Sequence, residues 1–284
     1  MTTLNRRFDL RTRLAIPAVA ALLVVAVQAP AVAADLPADP LNSPMWTEMG
    51  AQFFAGAKVV HAPSIKVVVP SIVEDQAQVP VTVDARAIPG VTRLVVFADL
   101  NPIQHVLTLT PRKAVPFVSF RMKVEQGTPV RAAALTADGT WHVGSVYLDA
   151  AGGGCSAPAM ARKDADWSET VGIAQGKSWR QPDGTSRVRF RVRHPMDTGL
   201  SRNNIPAYFI EKLELTAGKG DGLATLELRE PVSENPTVTL LLNVPSGESA
   251  VKVEGRDNNG STYRSSIPSS FDQSALDPAP TVSR

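Results

Sequence analysis

Cys155 is the single cysteine of this 284-residue chain, and Gly152, Gly153 and Gly154 stand directly before it. A thiol can act as a nucleophile or couple oxidatively to another sulfur, and its reactivity follows thiolate character and exposure. The run 149–158 has no apolar pattern that would pack the sulfur. Glycine also visits positive φ freely, so the segment reads as a mobile arm presenting the thiol. With no second cysteine to resolve an adduct internally, a group placed on Cys155 must be loaded and removed by partners. Asp149 is acidic and Arg162 and Lys163 lie several residues on, so those partners must also activate the thiol. The plain alternative is a tolerated surface thiol in a linker.

Other chemically capable residues form no catalytic pattern. The four histidines are scattered and no G-x-S-x-G elbow occurs, so the chain does not read as an enzyme. Cys155, Met160, His194 and Met196 are copper-ligand types. A blue-copper loop gathers Cys, His and Met in one short segment, however, and residues 155–160 hold no His; no metal and no cofactor are assigned. His194-Pro195-Met196 reads instead as a strand end and turn, with Met196 in the core and Thr198-Gly199 shaping the loop. The 218–222 stretch Gly-Lys-Gly-Asp-Gly joins two strands and opens no helix, which makes it a hairpin loop and not a phosphate cradle. Trp46, Trp141, Trp167 and Trp179 are assigned to core and interdomain packing.

The elements that hold these residues are predicted to be strands. Ser43-Pro44 begins a short helix running to Phe54. Seven β-rich runs follow, at 65–69, 79–84, 92–98, 105–110, 117–123, 131–136 and 141–148, with Asp138-Gly139 placed as a tight hairpin turn. Residues 157–177 read as a polar connector without strand alternation. Six more runs, at 186–194, 208–216, 224–229, 237–243, 250–256 and 261–267, give a second group, its last hairpin at Asp257 to Gly260. The predicted fold is all-β: two immunoglobulin-like sandwiches joined by the glycine arm and connector. Arg187, Arg189, Arg191 and Arg193 alternate with apolar residues, so they line the outer face of a half-buried strand. That face reads as solvated, with an anion-binding surface as the alternative.

Arg6, Arg7, Arg11 and Arg13 precede an apolar run and Ala31-Val32-Ala33, the form of a secretory signal over 1–34. The Arg pair loosely resembles a twin-arginine signal, and either export route implies a periplasmic protein with no membrane span after cleavage. The leader carries +3 of the formal +2, which leaves −1 for the remainder. A nucleic acid or anionic membrane is therefore not indicated as partner. The boundaries read as 35–150 for the first domain, 151–178 for arm and linker, 179–268 for the second domain, and 269–284 for a fraying tail.

The arm after the first domain, together with the 194–200 segment His-Pro-Met-Asp-Thr-Gly-Leu and the 205–210 segment Ile-Pro-Ala-Tyr-Phe-Ile, resembles the SoxYZ sulfur carriers. In that family one subunit ends in a Gly-Gly-Cys-Gly-Gly arm that carries sulfur intermediates, as in thiosulfate oxidation, and its partner bears a His-Pro-Met-x-Thr-Gly segment. The chain looks like both subunits fused, in the manner of quinoprotein dehydrogenase-associated SoxYZ-like carriers. Ser156-Ala157 replace the second glycine pair, and the arm is internal. The resemblance implies Cys155 as covalent carrier with Gly152, Gly153 and Gly154 lending it flexibility. It also implies periplasmic redox enzymes as partners, either of the sulfur-oxidising type or a quinoprotein dehydrogenase with a c-type cytochrome, and a monomer or weak oligomer. A non-covalent adaptor of a dehydrogenase is the alternative.

Overall fold

Nine residues from Trp46 to Phe54 form α1, which ends where Ala55 turns left-handed at φ 46°. Its cap is not the expected one: Ser43 Oγ accepts from the Met45 amide, and Met45 itself stands at the cap position. The computed structural model describes residues 36–163, 165–218, 220–245 and 247–270. The expected signal and most of the expected tail lie outside them.

Fifteen strands follow among the described residues. The first half contributes β1 (Val59–His61), β2 (Lys66–Val68), β3 (Val79–Asp84), β4 (Val91–Ala98), β5 (His105–Thr110), β6 (Ala114–Met122), β7 (Thr128–Thr136) and β8 (Trp141–Leu148). The second contributes β9 (Ala174–Arg180), β10 (Ser186–Val192), β11 (Ile210–Thr216), β12 (Gly222–Leu228), β13 (Thr237–Leu242), β14 (Ala250–Asp257) and β15 (Thr262–Ser270). The all-β reading holds, as do the hairpins at Gly139, 218–222 and Gly260. Two strands escaped the sequence pattern. β1 is three residues long, and β9 straddles the end of the predicted connector, unseen because only Ala174 and Trp179 of its seven residues are large or apolar enough to signal. The connector also folds, into a 3-10 turn at Met160–Lys163 and a helical turn, α2 (Trp167–Thr170).

Each half is a two-layered sandwich, as expected, and the two are joined edge to edge as well as by the arm and connector. The strands run β1-β8-β7-β4-β5-β12-β11-β14-β15 in one sheet and β9-β10-β13-β6-β3-β2 in the other, and β15 pairs with β14 and β9 to link them. Both sheets cross from one half to the other through antiparallel ladders, β5 with β12 and β6 with β13. Hydrogen bonding thus closes what would be exposed strand edges in either half alone. The inner faces share one apolar core, from Val81, Leu94 and Phe120 in the first half to Phe190, Leu226 and Leu240 in the second. α1 covers the outer face of the first sheet, packing Trp46, Met49 and Phe54 on Phe97, Trp141 and Val143. Arg131, fully buried beneath it, pairs with Asp39 and Asp99 and lies 4.4 Å from the Trp46 ring. Among the described residues no helix is long and apolar enough to cross a membrane.

Candidate functional site

β6 ends at Met122, and the chain continues through Lys123, Val124 and Glu125 along the rim where the two halves meet. Residues 152–154 return beside this rim: the Gly153 amide donates to the Glu125 carbonyl at 3.2 Å and the Gly154 amide to that of Val124 at 2.9 Å. The Glu125 carboxylate then turns under the next residues. Its Oε2 accepts the amides of Cys155 and Ser156, each at 3.0 Å, and its Oε1 accepts the Ser156 hydroxyl at 2.9 Å.

The presented thiol expected from the sequence is therefore not found: Cys155 is 0% exposed and the backbone amides from Gly153 to Ser156 are all tied. The glycines serve close approach in this state. A Cβ on Gly154 would stand 2.1 Å from the Gln76 carbonyl oxygen, and one on Gly152, at φ 101°, 2.2 Å from that of Glu125. Glycine runs look alike in sequence whether they supply looseness or room, and only the long-range contact tells them apart.

The second half completes the enclosure. β10 leads into His194, Pro195 and Met196, and Thr198 Oγ1 donates to the Cys155 carbonyl at 2.6 Å. Met196, at φ 50°, is buried as expected, its sulfur accepting the Ile210 amide at 3.3 Å. The His194 ring accepts the Met196 amide at Nδ1, 3.0 Å, and so carries its proton at Nε2, which has no partner among the described residues. Burial pushes His194 down to about 3, which keeps the ring neutral. Met160, the remaining copper-type residue, is exposed on the connector, away from such a cluster. Among the described residues no group of three or more His, Cys, Asp and Glu converges.

Sequence reasoning missed Lys123 and Glu125. Lys123 is buried, and its ammonium donates to the carbonyls of Met196, Glu230 and Val232 in the second half. Burial pushes it down to about 8, against the opposing pull of Cys155, Asp197, Glu234 and Glu230. Burial likewise pushes the Cys155 thiol up to about 12; the Lys123 charge counters this and the Glu125 charge adds to it. In this state the sulfur is a neutral, unreactive thiol. No local pattern signals either residue, since each acts across 30 or more positions in sequence.

The connector straps the site from outside. Arg162 reaches the Asp197 carboxylate at 2.8 Å from Nε and 2.5 Å from Nη2, while its guanidinium lies 4.5 Å from the Trp167 ring. The Ala161 amide donates to Glu234 at 3.0 Å. Asp197 in turn exchanges both backbone hydrogen bonds with Tyr208.

Residues 51–155 match the family described as Sulfur oxidation protein SoxY, and residues 175–268 match that described as Sulphur oxidation protein SoxZ. No curated protein matches the chain. Among solved structures, the sulfur carrier protein SoxY from Chlorobium limicola f thiosulfatophilum is 26% identical over 36% of this chain and 88% of its own, at a TM-score of 0.32. A glycosyl hydrolase family 2 member from Bacteroides cellulosilyticus is 11% identical over 72% of this chain and 28% of its own, at 0.22. A β-glycosidase from Bacteroides vulgatus is 9% identical over 73% and 25%, also at 0.22.

Proposed function

The chain joins a SoxY domain to a SoxZ domain and belongs to the SoxYZ sulfur carriers as a fused form, and from that premise we propose that it carries a sulfur-containing group covalently on Cys155 in the periplasm. The observation that supports this reading is the fit around Cys155. The SoxY match ends on that residue, and Glu125, Lys123 and Thr198, from both domains, converge on the same short segment. Coupling the thiol to a sulfur nucleophile forms one S–S bond and releases one proton and two electrons. A periplasmic redox partner, such as a c-type cytochrome accepting one electron at a time, takes the electrons. The enclosed state stores an unreactive thiol. Loading requires the 152–158 segment to leave its contacts with Glu125 and Thr198, whereupon the sulfur regains its ordinary acidity in water.

The burial of Cys155 equally supports a second reading, in which the fused domains are a non-covalent adaptor of a periplasmic dehydrogenase and the thiol is packing. Intact mass of the protein purified from its native periplasm, before and after reductant, separates the two. The carrier reading requires an adduct that reductant removes and that Cys155→Ser abolishes. An unmodified thiol in cells growing on a reduced sulfur substrate overturns it in favour of the adaptor.

A further inference from the structure

Among the described residues no element covers the outer face of the second sheet, and that face is strongly one-signed. Register places Lys177 and Trp179 of β9, Arg187, Arg189 and Arg191 of β10, and Arg121 of β6 on that same side. Arg189 stands directly opposite Lys177 in the ladder, a like-charge pairing that costs stability. None of these five cations has an ion-pair partner among the described residues. Arg187 lies 6.0 Å from the half-exposed Trp179 ring. The described ion pairs on this side, Asp84 with Arg86 and Asp166 with Arg193, sit at its margins.

The first sheet shows what an ordinary solvated face looks like in the same molecule. There Lys212 pairs with Glu214, Arg256 with Glu211 and Arg264 with Glu254, so the signs are interspersed. With a net charge near zero once the leader is set aside, the cations of the second sheet are a local concentration and not a general excess. Arg and Trp are also the side chains that anchor protein interfaces. The strands aim this face at the cysteine rim: β10 runs into the 194–198 segment that holds the Cys155 carbonyl, and β6 runs on to Glu125, which holds its amide.

We infer that the basic outer face of β9, β10, β13 and β6 docks an acidic protein surface, and that this partner is the enzyme that loads or unloads Cys155. The inference rests on the carrier reading for what the partner does and on charge complementarity for what it is. A protein seated on that face lies beside the rim from which the thiol must emerge. Its approach is steered electrostatically and weakens with salt.

The test uses the full-length protein and a variant carrying Arg187→Glu, Arg189→Glu and Arg191→Glu, with Lys212→Glu on the opposite sheet as control. Unchanged circular dichroism and melting midpoint establish that the strands persist. A fluorescent Asp/Glu-rich peptide serves as the acidic probe, and phosphatidylglycerol vesicles as the lipid competitor. The native protein and the control bind the peptide at low ionic strength, and the triple variant binds it about tenfold more weakly or not at all. In cells, the same triple variant loses the reductant-sensitive mass on Cys155 while the control keeps it. Equal peptide binding by native and triple variant, undiminished loading of the triple variant, or tighter binding of vesicles than of peptide each overturns the docking inference. Absence of the adduct from the native protein counts against the carrier reading alone, and the peptide result then decides the surface.

Discussion

Thr198 Oγ1 donates a 2.6 Å hydrogen bond to the Cys155 carbonyl, so the SoxZ domain holds the very residue that ends the SoxY domain. Together with the Glu125 carboxylate on the Cys155 amide, it fixes both backbone groups of the cysteine. Alkylation of the native protein by iodoacetamide at neutral pH is therefore expected to be slow. Thr198→Val, which keeps the shape and removes the donor, should raise the rate about tenfold, in line with loss of roughly 1–1.5 kcal/mol from one buried hydrogen bond. Labelling followed by mass spectrometry reads it directly, and a rate equal to that of unfolded protein in the native chain refutes the closed state.

Gly154 and Gly153 make a matched pair of tests. Gly154→Ala drives a methyl into the Gln76 carbonyl, whereas the space beside Gly153 is open and only its φ of 89° resists a side chain. Urea unfolding should show a loss of about 2–3 kcal/mol for the first substitution. The second should lose about 1–2 kcal/mol. Equal or negligible losses would mean the arm is loose after all.

Lys123 and Cys155 give alkaline stability a shape. Lys123 is held at about 8, below its free value of 10.5, so between those values the unfolded chain binds more protons and stability rises with pH. Cys155 is held at about 12, above its free value of 9.0, so above pH 9 the folded chain binds more protons and stability falls. Denaturant midpoints across this range should pass through a maximum. Lys123→Met should remove the rising limb and leave the falling one, and it should also lower stability at pH 7 by about 1–3 kcal/mol because three interdomain carbonyls lose their donor.

On the acid side, burial holds His194 at about 3 and His105 at about 4, both below the ordinary 6.5. The unfolded chain takes up protons below pH 6.5 that the folded chain refuses, so stability declines from there downward. Each unit of depression is worth about 1.4 kcal/mol. His105→Gln, at the position hydrogen-bonded to Thr108, should flatten the decline measured between pH 6.5 and 4. A slope unchanged from the native protein's would place the acid sensitivity elsewhere.

The strand periodicity was legible because alternation survives wherever one face is buried and the other wet. β10, with Val188, Phe190 and Val192 inside and three arginines outside, is the plainest case. The single cysteine, the glycines before it and the 194–200 segment marked the site, and the resemblance they carry is borne out by both family matches. β9 was not legible, since its own residues show little apolar alternation and it is defined by its pairing with β10 and β15.

Sequence alone determined the all-β class, the hairpin turns and the identity of the one thiol, because these follow from local pattern and from counting. Tertiary structure decided that the two halves share their sheets, that Lys123 and Glu125 belong to the site, and that Cys155 is enclosed. Those facts rest on contacts between residues 30 to more than 100 positions apart, with donors and acceptors matched across a domain boundary that no local run of residues encodes.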